Sequence, residues 1–234
     1  MSNDLIFRIA LTKVPHIGHV HAKQLLRQIH DAEKIFCTHR SQLEKIEGIG
    51  RIRAESIRKF KDFAECEKEI RFIERNNIHA HSFQSPRYPQ RLLQCHDGPS
   101  LLYSKGDIDL NGGKFISIVG TRNNTAYGKN ICEQLISQLS LYNPVIISGL
   151  AYGIDSIAHR SALKNNLKTM AVLAHGLDRI YPAVNAKLSE EISQQGCLLS
   201  DFPSNTNPDK QNFPSRNRIT AGICDALIIV ETGK

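Results

Sequence analysis

The chain has 234 residues, 41% hydrophobic and 23% charged, the proportions of an ordinary globular protein, which argues against a disordered chain and for one or two domains. No apolar run approaches the roughly 20 residues of a membrane span, and Met1-Ser2-Asn3-Asp4 does not begin a secretory signal. Thirty basic against 23 acidic residues leave a net charge of +7, which favours a polyanionic partner without identifying it.

Residues 1–75 have a helical texture. From Phe60 to Arg75, charged and apolar residues alternate at three- and four-residue spacing, as in an exposed amphipathic helix. Val14-Pro-His-Ile-Gly-His-Val-His-Ala repeats as Ile46-Glu-Gly-Ile-Gly-Arg-Ile-Arg-Ala, aligning Gly18 with Gly50 and Ala22 with Ala54. Two units are too few for a solenoid but enough for paired helical hairpins. Gly48-Ile-Gly50 followed by Arg51, Arg53, Arg58 and Lys59 has the look of a helix-hairpin-helix, in which a glycine turn presents helix amides to a DNA phosphate. The first copy carries His16 in place of Gly48. Residues 76–113 read as a linker and extension, rich in turns, with Leu101-Leu-Tyr as a short strand.

From residue 114 to 234 apolar runs alternate with helical stretches. Strands are expected at Phe115–Val119, Val145–Ile147, Thr169–Leu173, Cys197–Leu199 and Ala226–Val230. Helices are expected at Ala126–Leu141, Ile154–Asn165, Asn185–Gln195 and Arg216–Ile223. This alternation predicts an α/β fold whose parallel sheet is covered on both faces. Such sheets bind ligands at the C-terminal ends of their strands.

The strand ends carry the chemistry. Gly120-Thr121-Arg122 follows the first strand: a glycine lets a phosphate approach the backbone and Arg122 adds a cationic fork. The dinucleotide fingerprint G-x-G-x-x-G is missing, which counts against a nicotinamide or flavin enzyme. Ser148-Gly149-Leu-Ala-Tyr-Gly153-Ile-Asp155 follows the second, with Asp155 and His159 one helical turn apart, readable as a catalytic pair or as a cap and a core residue. His175-Gly-Leu-Asp178 and Tyr181-Pro182 follow the third. A long polar segment then leads to Phe213-Pro-Ser-Arg216-Asn217-Arg218. An aromatic ring beside arginines suits single-stranded nucleic acid, the ring for a base and the guanidiniums for phosphates.

Six cysteines are spread along the chain, with none at C-x-x-C spacing, which disfavours a zinc or redox site and suggests reduced thiols in a cytoplasmic protein. No metal or cofactor is expected.

Gly120-Thr-Arg122 with Tyr127-Gly128, the Ser148–Asp155 run, His159 with Ala162-Leu163, Gly176-Leu-Asp178 with Tyr181-Pro182 and Asn185, and Phe213-Pro-Ser-Arg-Asn-Arg218-Ile together resemble the DNA-processing protein A family (DprA, also called Smf). The resemblance implies a Rossmann-like parallel-sheet domain preceded by a small all-α helix-hairpin-helix (SAM-like) domain. It implies a homodimer that binds single-stranded DNA, protects incoming DNA in natural transformation and helps load a RecA-type recombinase, with no catalytic residues. Carried over by position, the DNA site comprises Gly120, Thr121, Arg122, Gly149, Phe213, Arg216 and Asn217, with Lys210 in the preceding loop. Ala174 departs from a glycine common in the family. The family pattern runs on beyond Glu231-Thr-Gly-Lys234, so the Rossmann-like domain is expected to be cut short at its C-terminal end. The rival expectation is a nucleotide or nucleotide-derivative hydrolase using Asp155, His159, His175 and Asp178.

Overall fold

The computed structural model describes residues 4–232; residues 1–3 and 233–234, the outermost parts of the first and last expected segments, lie outside it. Six helices come first: α1 (Asp4–Lys13), α2 (His19–Ile29), α3 (Ala32–Cys37), α4 (Arg40–Leu43), α5 (Arg51–Lys59) and α6 (Phe63–Arg75). Then follow β1 (Ile78–Ser82), α7 (Gln90–Leu93), β2 (Leu101–Gly106), β3 (Phe115–Val119), α8 (Ala126–Leu139), β4 (Val145–Ser148), α9 (Ile154–Lys164) and β5 (Thr169–Val172). The chain continues through α10 (Ala186–Gln195), β6 (Cys197–Ser200), α11 (Asn212–Gly222) and β7 (Ala226–Ile229).

The internal repeat is visible as geometry. α2 and α5 begin after Gly18 and Gly50, both extended and neither using a side chain as a cap. His16 and Gly48, equivalent in the repeat, both have positive φ, +66° and +77°. Arg53 joins the two turns: Nε donates to the His16 carbonyl at 3.1 Å and Nη1 to the Gly48 carbonyl at 3.0 Å. The first copy faces inward, where Lys23 Nζ donates to the His96 carbonyl at 2.9 Å and His19 Nε2 lies 3.2 Å from Asp201.

The sheet has seven strands in the order β1-β2-β6-β5-β4-β3-β7. β6, β5, β4, β3 and β7 are mutually parallel, while β2 runs antiparallel to β6 and β1 antiparallel to β2. The sheet is therefore mixed. Residues 76–113, read as linker and extension, supply its two antiparallel strands. In β1, Ile78-His-Ala-His-Ser is too short and too rich in histidine to announce itself as a strand.

Alternate strand residues feed two apolar clusters. Ile118, Ile146, Ile154, Ala158 and Ala162 fill the layer under α8 and α9. Phe115, Val145, Ile147, Met170 and Leu199 face the other way, in a core that runs without a break to Ile9, Leu25, Ile35 and Ile57 of the N-terminal helices. Among the described residues β7 is an edge strand, on which Leu227 and Ile229 are 45% and 59% exposed.

Two buried histidines give the fold a pH dependence. His159 Nδ1 lies 2.7 Å from Thr169 Oγ1, and burial, reinforced by Arg216 and Arg160, pushes the imidazole pKa down to about 3. His81 Nε2 lies 2.8 Å from Ser104 Oγ, and burial holds it at about 4. An unfolded histidine titrates near 6.5, so below that pH the unfolded chain binds protons that the folded chain refuses. Their contribution is complete above pH 6.5 and declines as pH falls, by about 1.4 kcal/mol per pH unit for each histidine. Thermal melts should show Tm dropping steadily from pH 6.5 to 4.5, with a shallower drop for His159→Gln. A Tm unchanged to pH 5 would contradict neutral burial.

Candidate functional site

β3 and β7 are parallel neighbours, and the direction of strand addition reverses between them: β4, β5 and β6 build outward on one side of β3 and β7 returns to the other. Open parallel sheets bind ligands beyond such a reversal, at the carboxyl ends of the strands. A cavity of about 460 Å³ opens there. Val119, Leu227 and Ile229 form its apolar wall. Gly120, Thr121 and Arg122 reach it from β3, Gly149, Ala151 and Asp155 from β4, and Phe213, Arg216 and Asn217 from α11.

Seven expected site residues (Gly120, Thr121, Arg122, Gly149, Phe213, Arg216 and Asn217) thus line one cavity. Lys210 does not line it; it is exposed on the turn just before α11. The exposed Arg122 guanidinium lies over the Phe213 ring, 5.0 Å from its centroid. Tyr181, 43% exposed, meets Phe213 from another side with centroids 6.0 Å apart and planes at 59°. Phe213 is not on a loop as expected. α11 begins four residues earlier than predicted, so Phe213 and Pro214 lie in its first turn, where proline forfeits no helical hydrogen bond. At helical spacing Phe213, Arg216, Asn217 and Thr220 then share the face lining the cavity.

Two expectations need correction. Arg216 was assigned to phosphate, but it is buried, 4% exposed, and already occupied. Its Nη1 donates to the carbonyls of Gly149, at 2.8 Å, and Val172, and its Nε to Asn217 Oδ1 at 3.2 Å. Strand-end carbonyls of β4 and β5 have no partner within the sheet here, and the guanidinium supplies one. Gly149, carried into the DNA site by position, has no amide free for a ligand: it donates to Asp155 Oδ2 at 3.1 Å. A Cβ at Gly149 would stand 2.2 Å from Arg216 Nη1, so glycine here makes room for protein, not ligand. A Cβ at Gly153, at φ +74°, would stand 2.2 Å from the Thr121 carbonyl, so a glycine lets the loops after β3 and β4 touch. Asn185 secures the same loop, its Nδ2 donating to Leu150 O and Ser156 Oγ, both at 2.9 Å.

The cavity is not uniformly cationic. Burial raises the Asp155 carboxyl, partly offset by the Arg216 charge, while burial, opposed by Asp155 and reinforced by Arg122, lowers Arg216. Glu231 adds a second carboxylate, unforeseen from the sequence. Its Oε2 accepts from the Thr125 amide at 3.0 Å at the start of α8, and its carbonyl accepts from the Thr121 amide at 2.8 Å. The amide at the N-cap of α8 is therefore already occupied by a carboxylate. Tyr181, part of a strand-end motif but not of the expected site, joins it through the ring contact with Phe213, which nothing in a Tyr-Pro pair reveals.

The residues of the hydrolytic alternative take separate partners. Asp155 accepts from Gly149 and Ala151, His159 pairs with Thr169, and His175 Nδ1 lies 2.9 Å from the Gly176 carbonyl. Asp178 pairs with Arg179 at 2.7 Å and accepts from the Asn205 amide. Among the described residues no three His, Cys, Asp or Glu side chains group as metal ligands, and no helix is long and apolar enough to cross a membrane.

The chain is 41% identical over 148 residues to the DNA processing protein DprA of Bacillus subtilis, covering 63% of this chain and 50% of that one. It is 32% identical over 234 residues to the protein Smf of Synechocystis, covering 98% of this chain and 59% of that one. The chain thus spans about half the length of these relatives. The crystal structure of DNA processing protein A from Streptococcus pneumoniae superposes with a TM-score of 0.81 at 31% identity, covering 96% of this chain and 77% of that one. DNA processing protein A from Helicobacter pylori, described for its single-stranded DNA binding mode, superposes with a TM-score of 0.56 at 34% identity, covering 64% of this chain and 68% of that one. The family model described as DNA recombination-mediator protein A matches residues 79–234, well over half of the sequence, and the chain belongs to that family.

Proposed function

We propose that this chain binds single-stranded DNA at the crest of the sheet, without turnover, as part of a DNA-processing protein. The observation that carries this reading is the Arg122 guanidinium lying 5.0 Å over Phe213 beside the switch-point cavity. Arg122 is the exposed cation of the cavity, and Phe213 with Tyr181 offers aromatic surface. On binding, Arg122 leaves the ring for a phosphate and a base takes its place. A charge-assisted phosphate contact is stronger than the exposed cation–π contact it replaces. Lys210, exposed on the turn before α11, adds a second cation, while Arg216 and Asp155 hold the floor and Thr121, Gly120 and Asn217 line the approach.

The wider role rests on the family: protection of incoming DNA in natural transformation, delivery to a RecA-type recombinase, and action as a cytoplasmic homodimer. The single-strand binding described for the Helicobacter pylori relative supports the same reading.

Fluorescence anisotropy with single- and double-stranded oligonucleotides of equal length, in rising salt, tests this. The single strand should bind more tightly at every salt concentration, because duplex bases are already stacked and cannot reach the ring. Affinity should fall with salt as counterions are released. Equal affinity for duplex would count against the proposal, as would binding indifferent to salt.

A further inference from the structure

Glu69 is a charged residue on α6 that stands on the sheet side of the helix and is 3% exposed. Among the described residues its one polar partner is a loop residue, Ser204. Oε1 accepts from the Ser204 amide at 2.9 Å and Oε2 from the Ser204 hydroxyl. Among the described residues no cation lies within ion-pair distance of it. The gap it shares with Phe72, Ile78, Tyr103, Leu177, Phe202 and Ser204 has no room for a water molecule. A buried carboxyl without a counter-charge is a poor device for stability, since a well-packed apolar side chain serves at least as well. What it specifies is the position of Ser204.

Beyond Ser204, further hydrogen bonds hold the segment in place up to the start of α11. The Asn205 amide donates to Asp178 Oδ1 at 2.9 Å, and the Thr206 carbonyl accepts from the Gly176 amide at 3.2 Å. Asn212 Nδ2 donates to the Asn207 carbonyl at 3.0 Å, and the Asn212 amide to the Asp209 carbonyl at 2.9 Å. Asn212 begins α11 and Phe213 is next. The helices make a second tie just ahead of this segment, His19 Nε2 to Asp201 at 3.2 Å.

We propose that Glu69 is a positioning residue of the nucleic-acid site, through which the N-terminal helices fix the 204–212 segment and so set where Lys210 and Phe213 stand. This rests on the single-strand reading above. It gives the helical segment a part in binding that requires no DNA contact of its own.

The test combines hydrogen exchange with anisotropy on a fluorescent oligo-dT, using the whole chain as Glu69→Ala, Glu69→Gln and Ser204→Ala. In Glu69→Ala, amides of 204–212 should exchange at least about tenfold faster while those of α1, α2 and the sheet keep their protection. Its oligo-dT affinity should fall about fivefold. Glu69→Gln keeps both bonds, its oxygen accepting from the Ser204 amide and its amino group donating to the hydroxyl, and should restore both readouts. Ser204→Ala lies outside α6, removes one bond, and should weaken binding about twofold even if Glu69→Ala does not fold. The proposal is overturned if Glu69→Ala binds like a parent chain that does bind, or if Glu69→Gln does no better than Glu69→Ala. A parent that ignores oligo-dT sinks the single-strand reading itself, a distinguishable result.

Discussion

Arg216→Ala should lower the unfolding free energy by about 3–5 kcal/mol, enough to leave a marginally stable domain partly unfolded at 37 °C. Removing the guanidinium strips the Gly149 and Val172 carbonyls of their donor and leaves the Asp155 carboxyl buried without the positive charge that offsets its burial. Each buried polar group left without a partner costs about 1–3 kcal/mol. Urea denaturation followed by two independent probes measures it, provided their transitions coincide and m stays constant. Adding Asp155→Asn to the Arg216→Ala chain should recover a substantial part of the loss, because the neutral amide oxygen still accepts from Gly149 while no lone charge remains. Were Arg216 instead a free phosphate fork, Arg216→Ala would keep the parent's stability and lose only DNA affinity.

The contrast between Arg216 and Arg122 shows what the sequence conveys and what it withholds. Alternating apolar runs and helical stretches put all five parallel strands and most of the helices that follow them within a few residues of their places, because a strand buried on both faces must be apolar throughout. The glycine-rich strand ends marked the crest for the same kind of reason: close approach of two loops needs small residues. Which arginine of Phe213-Pro-Ser-Arg-Asn-Arg218 turns inward depends on where the helix starts. A proline and a polar run set that start too late, hiding the common face of Phe213 and Arg216. Glu231 and Glu69 escaped because their partners, Thr125 and Ser204, are remote in the chain, and no local pattern signals a long-range hydrogen bond.

Arg122→Ala and Phe213→Ala should each weaken oligo-dT binding strongly while leaving the fold intact, since Arg122 is exposed and Phe213 only half-buried. Loss of a stacking ring costs about 1–3 kcal/mol per base, and loss of a charge-assisted phosphate contact about 1.5–3 kcal/mol, so Phe213→Ala should raise Kd about fivefold or more and Arg122→Ala about tenfold or more. The two residues touch, so the double variant should lose less than the sum of the singles. Arg122→Lys keeps the charge but not the planar fork and should fall between Arg122→Ala and the parent. Phe213→Ala should leave the salt dependence unchanged, because the ring releases no counterion.

Arg122 is the residue on which single-strand binding at the crest depends, and the salt-titrated anisotropy of Arg122→Ala with oligo-dT tests that most directly. The prediction is a Kd raised about tenfold or more at moderate salt, together with a log–log salt slope shallower by about 0.7, the share of one phosphate contact on a single strand. An Arg122→Ala chain with the parent's affinity and the parent's slope would contradict it.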